Sequence, residues 1–204
     1  MSIHLYPNDL PDDLTLGPVV AIDTETMGLD PRRDRLCLVQ LSSGDGEAHL
    51  VQIARGQRSA PNLCRMLTDP QVLKLFHFGR FDIAALEAAF GVVTAPVWCT
   101  KIASRLSRTY TDRHVLKDVA RELAGVDLSK AQQSSDWGAA ELSPAQLEYA
   151  ASDVLHLHAV KARLDQMLAR EGRTELAARC FDFLPTRSAL DLAGWDEIDV
   201  FAHS

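Results

Sequence analysis

The strongest constraint on this chain is a short, β-branched apolar run, Pro18-Val-Val-Ala-Ile22, that stops abruptly at Asp23-Thr-Glu-Thr-Met-Gly-Leu29. An apolar run of strand length closed by polar residues and a glycine predicts a buried strand ending in a turn. Asp23 and Glu25 lie two residues apart, so an extended backbone projects both from one side and both carboxylates can face one cation. Without a cation, buried carboxylates that close repel. A bare acid pair says little in a chain with 28 acidic residues, where a solvated turn explains it equally well. The full D-x-E-T-x-G-L string is different, arising by chance in on the order of one in several thousand chains of this length.

The segments Leu36 to Leu41 and Ala48 to Ile53 repeat the strand character, with Ser42 to Gly46 as a hairpin-like turn. Helical spacing begins at Pro61. An extended piece at Val72 to Phe76 precedes a helix over Phe81 to Phe90, and helices are predicted around Lys101 to Leu106 and Val115 to Leu123. Ser143 and Pro144 read as N-cap and first residue of one long helix whose stripe runs Leu147, Ala150, Val154, Leu157, Leu164, Leu168. Another helix with an acidic end follows Gly172. Strands first, then strands interleaved with helices, predict an α/β fold with a mixed sheet, because the opening hairpins must be antiparallel.

Length and composition bound the class. The 204 residues suit a single domain, with a core over about 15–170 and a helical C-terminal extension over about 173–204. No apolar run approaches the roughly 18 residues of a membrane span, so no membrane partner is expected. Cys37, Cys64, Cys99 and Cys180 form no CxxC pair, which speaks against a zinc ribbon or disulfide framework and for a cytoplasmic location. The net charge of −7 disfavours tight tracking along a long duplex, unless some of the acids hold cations.

Two further segments join the first. Phe76-His77-Phe78-Gly79-Arg80-Phe81-Asp82 leaves a strand and enters a helix, aiming Asp82 at the same sheet edge, although alone it reads equally as a first-turn acid favoured by the helix dipole. Tyr149 and Asp153 stand at i and i+4, so hydroxyl and carboxylate share one helical face; the bare spacing is common. Asp23, Glu25, Asp82 and Asp153 together supply hard oxygen ligands suited to two Mg²⁺ or Mn²⁺ ions and to phosphodiester hydrolysis. Tyr149 is a poor base but a good partner for the attacking water.

These three segments in this order resemble the DEDD superfamily of 3'-to-5' exonucleases, and a tyrosine four residues before Asp153 resembles its y-type. The resemblance spans about residues 15–170. It implies an RNase H-like, mixed five-stranded sheet flanked by helices, with a two-metal mechanism. Leu128-Ser-Lys130 and Asp136-Trp137 further resemble the ribonuclease D branch, whose additional helical HRDC domain finds no counterpart in the sequence. Trp98 to Ser104, Arg108 to His114 and Leu190 to Trp195 are similar to the alphaproteobacterial nano-RNase C group, with Cys99 where many ribonuclease D relatives have an acid. That group implies cleavage of dinucleotides by a ring-shaped homo-octamer. It also makes Leu29 a wedge against a substrate base.

Thr26, Gly28, Leu29, His77, Arg108 and Arg113 are the candidate substrate contacts, His77 reading equally as a packed strand-end residue. Arg32, Arg33 and Arg35 could hold phosphate or simply be solvated. Arg105, Arg108, Arg113, His114 and Lys117 read as a basic surface or as a helical polar face, and His156 as a neighbour of the metals or a partly buried helix residue. The competing functions are a ribonuclease D-type exonuclease acting on longer RNA 3' ends or on DNA, and a silent nucleic-acid-binding module. Against silence stands the complete set of four acids and the tyrosine.

Overall fold

A computed structural model describes residues 2–129 and 131–203. Its centre is a six-stranded mixed sheet made of β1 (Ser2–Pro7), β2 (Val19–Thr26), β3 (Leu36–Ser42), β4 (Glu47–Gln52), β5 (Leu73–Phe76) and β6 (Val97–Cys99), in the spatial order β1-β4-β3-β2-β5-β6. Strands β2, β3 and β4 form the antiparallel meander that the short connections demand, while β5 joins β2 in parallel and β6 joins β5 in parallel. Strand β2 is therefore central, and its C-terminal end opens where β5 has already stopped: β5 pairs only with Val19 to Ala21, leaving the β5 side of Asp23 and Glu25 unoccupied by a strand.

Among the described residues seven helices surround the sheet: α1 (Pro61–Thr68), α2 (Gly79–Phe90), α3 (Thr100–Ser107), α4 (Leu116–Ala124), α5 (Pro144–Leu155), α6 (Leu157–Arg170) and α7 (Thr174–Leu192). Every residue of β3 is buried, so both faces are covered. Leu38 and Leu50 join a small cluster with Trp137 and Ala150 of α5, while Val39 and Val51 join the main core with Ile83 and Leu86 of α2. The helices carrying the two later motifs thus flank the strand carrying the first. Ser143 caps α5 with a complete capping box through Gln146, as the sequence predicts.

The sheet has six strands, not five. Strand β1 was not predicted because its partly exposed residues carry a weak apolar signal, and it gains its partner β4 from more than 40 residues away, Ser2 opposite Glu47 through Pro7 opposite Gln52. Strand β6 is only three residues long. The long helix after Pro144 is in fact two, because His156 (φ −104°, ψ −6°) leaves helical geometry and the backbone restarts as α6. No glycine or proline marks that junction. Helix α7 packs on α2 and β6 and supplies the helical C-terminal part. Among the described residues, no helix is long and apolar enough to cross a membrane.

Candidate active site

Asp23 and Glu25 leave the end of β2 on one side, and Asp153 reaches them from the last turns of α5, so that one carboxylate oxygen from each lies within 4.8 Å of the others. Between the two β2 acids, Thr24 donates its hydroxyl to Asp82 Oδ1 at 2.7 Å and thereby holds the fourth, buried carboxylate beside the same strand end. Two helices and a central strand therefore converge on one point.

Their electrostatics record the crowding. Burial pushes Asp23 up to about 7, against a lowering backbone hydrogen bond. Burial and then the charge of Asp23 push Asp153 up to about 8. Glu25 rises to about 10, from burial followed by repulsion from Asp23, Asp153 and Asp82. Asp82 is likewise raised, by burial and then Asp23. Burial and the neighbouring Asp153 also raise the Tyr149 hydroxyl, which stays protonated and able to donate. Converging hard oxygens that repel one another without a counter-charge are the donor set of Mg²⁺ or Mn²⁺, and the site fits divalent cations on that ground.

Asp23, Glu25 and Asp153 line a cleft of about 290 Å³, together with His77, Phe78, Lys101, Lys117, Gln133 and Tyr149, while the buried Asp82 is not part of that lining. In the same cleft, Lys101 and Lys117 supply positive charge suited to a phosphate. Lys101 sits 4.0 Å from the centroid of the Phe78 ring. His77 Nδ1 is 2.8 Å from the Thr100 hydroxyl; burial first and Lys101 second lower its pKa to about 3, so it faces the cleft as a neutral ring. Thr26 donates to the Gly28 carbonyl at 2.5 Å, shaping the turn. A Cβ on Gly28 would overlap the Asp34 carboxylate, which would have to shift away from the Asp30 amide it accepts from. Leu29 beyond it is 89% exposed.

Arg108 must be corrected. It is fully buried, its guanidinium bound to Glu122, the Ser104 hydroxyl at 2.8 Å and the Arg113 carbonyl at 2.7 Å, and it has no donor turned toward a substrate. Arg113 has an exposed side chain outside the cleft lining. His156 lies at the α5–α6 junction, also outside that lining. Lys130 lies outside the described residues. Sequence reading missed Thr24, Phe78, Lys101 and Gln133. Thr24, Phe78 and Lys101 stand inside the quoted segments without a role assigned to them, and Phe78 adopts a left-handed backbone (φ 64°) rare for a bulky residue.

Residues 7–169 match the family model described as 3'-5' exonuclease. The chain is 37% identical over 161 residues to ribonuclease D of Gluconacetobacter diazotrophicus, covering 79% of this chain and 40% of that protein. It spans less than half the length of the curated ribonuclease D relatives it matches first. Among solved structures, Brucella melitensis NrnC with bound Mg²⁺ is 60% identical with a TM-score of 0.95, and Brucella melitensis NrnC bound to pGG is 61% identical with a TM-score of 0.96. Both comparisons cover 100% of each chain.

Proposed function

The chain belongs to the 3'-5' exonuclease family, and from that premise we propose that it is a metal-dependent exoribonuclease that hydrolyses very short oligoribonucleotides, dinucleotides above all, to nucleoside 5'-monophosphates. The observation that carries the reading is the convergence of Asp23, Glu25 and Asp153 within 4.8 Å, with Asp82 fastened beside them through Thr24. The pGG-bound state of the 61% identical Brucella protein supports the short substrate.

In this reading Asp23, Glu25, Asp82 and Asp153 hold two Mg²⁺ or Mn²⁺ ions. When bound, such cations activate water and stabilise the leaving 3'-oxygen. The Tyr149 hydroxyl, kept protonated beside Asp153, orients the attacking water by hydrogen bonding. Lys101 and Lys117 draw the substrate phosphate toward the acids. Leu29, carried forward by the turn at Gly28, presses on a base, while neutral His77 and Thr26 shape the wall behind it. A homo-oligomer, octameric in the resembled group, would cover the exposed C-terminal apolar residues Trp195, Ile198, Val200 and Phe201. A single 3'-5' exonuclease domain acting in the cytoplasm completes the proposal.

The 37% identity to a ribonuclease D favours a second reading, trimming of longer RNA 3' ends. Activity with Mg²⁺ and with EDTA on a labelled dinucleotide and on a longer oligoribonucleotide separates the two: a steep preference for the dinucleotide supports the first, equal kcat/KM the second.

A further inference from the structure

A second cavity, of about 560 Å³, adjoins the catalytic cleft and shares Phe78 with it. Leu29 and Phe78 line it together with Arg32, Arg80, Asp191 and Asp196. The last two residues lie where α7 ends and turns, beyond residues 7–169 that match the exonuclease family.

Polar contacts at that turn are dense. Arg80, two residues before Asp82, makes a bidentate pair with Asp191 at 2.5 and 2.7 Å and donates also to the Asp196 carbonyl at 2.8 Å. Arg187 donates to the same Asp191 carboxylate at 2.8 Å and to the carbonyls of Trp195 and Asp196 at 2.9 and 3.0 Å. The Ser188 hydroxyl donates to the Arg80 carbonyl at 2.8 Å, so backbone and side chain of α2's first turn are both held by α7. On the other side, Arg32 bridges Asp30 at 3.0 Å and Asp196 Oδ1 at 3.3 Å. Leu29, 89% exposed, makes little packing contact of its own; hydrogen bonds from Thr26 to the Gly28 carbonyl and from Asp30 to Asp34 shape its loop locally, and Arg32 adds the link from that loop to Asp196.

We infer that the turn ending α7, through Asp191 and Asp196, is a positioning element for the Leu29 and Phe78 wall and so sets how tightly substrate bases are held. The inference rests on the exonuclease reading above and adds to it a C-terminal determinant of substrate affinity. Two kinds of tie divide the work. The bidentate, half-buried Arg80 pair is the strong one and carries stability as well. The exposed Arg32–Asp196 pair, both side chains 41% accessible, adds little to stability. Its loss frees the loop without melting the fold.

The test is a double-mutant cycle read in KM, kcat and melting temperature with a dinucleotide and Mg²⁺, using the full chain. Asp196→Ala is expected to raise KM about three- to tenfold, with kcat within about twofold and the melt nearly unchanged. In a Leu29→Ala background, which itself raises KM, the same substitution is expected to add less than about twofold. Asp191→Asn provides a stronger perturbation of the same kind, with a lower melting temperature. An unchanged KM in both aspartate variants, or the same factor with and without Leu29, overturns the inference while leaving the exonuclease reading standing. Wild-type protein inert toward the dinucleotide overturns both.

Discussion

Replacing Asp153 by asparagine is expected to stabilise the metal-free protein while abolishing its activity. The folded-state pKa of Asp153, about 8, stands roughly four units above its ordinary 3.8. The sign follows from proton binding: between those values the folded state holds a proton that the unfolded state has released. Stability is therefore fully present below about pH 4 and is lost as pH rises through about 8. At about 1.4 kcal/mol per unit, the ceiling is ~6 kcal/mol. Protonation can be shared with Asp23 and Glu25, so a single substitution recovers a part, about 2 to 3 kcal/mol, which for a chain of this size is roughly 4–12 °C in melting temperature. The assay is thermal denaturation of wild type and Asp153→Asn in EDTA from about pH 4 to pH 9. The variant should melt higher at the alkaline end, and the gap should close near pH 4. Adding Mg²⁺ should close the gap at about a hundredfold excess over Kd and reverse the order at about a thousandfold excess, where only the wild type gains about 4.1 kcal/mol. A wild type that melts at or above the variant at about pH 9 in EDTA would refute the claim that these carboxylates are held together against their own repulsion.

Other outcomes follow from the same geometry. Tyr149→Phe keeps the ring but deletes the orienting hydroxyl, and should cost about a hundredfold or more in kcat with KM little changed. Gly28→Ala, which drives a methyl into the Asp34 carboxylate, should lower the melting temperature and raise KM, as a paired melt and rate measurement would show. Arg108→Ala should destabilise the fold by emptying a buried site and removing the donors to the Arg113 carbonyl and Ser104 hydroxyl, without altering KM for a dinucleotide in the fraction that remains folded, as expected of an interior arginine. With His77 lowered to about 3, the kcat/KM profile from about pH 5 upward should be the same in His77→Asn as in wild type in shape, whatever its height.

Much of this site was legible because its chemistry is written in short, local patterns. Asp23 and Glu25 belong to one strand end, and Tyr149 and Asp153 to one helical turn, so backbone periodicity alone places each pair. The antiparallel opening strands follow from their short connection. What escaped depends on distance. Strand β1 pairs in parallel with a strand more than 40 residues on, and its own pattern carries little apolar signal. Arg108 looks like its basic neighbours in sequence; its burial is decided by Glu122 and the Arg113 carbonyl, contacts no periodicity reports. Lys101 reached the cleft because α3 begins directly after β6, a strand too short to be read. The Arg80, Asp191 and Asp196 ties join residues more than 100 positions apart and left no local trace.

The most direct test is a time course on 5'-labelled oligoribonucleotides of two to about twenty residues, for wild type and Asp23→Ala, in Mg²⁺ and in EDTA. Wild type in Mg²⁺ should shorten each chain one nucleotide at a time from the 3' end, with kcat/KM highest for the two-residue substrate, and no cleavage should occur in EDTA or in a folded Asp23→Ala variant. Internal cleavage, turnover that survives EDTA, or near-normal turnover in Asp23→Ala would contradict a metal-dependent 3'-to-5' exonuclease built on these four carboxylates.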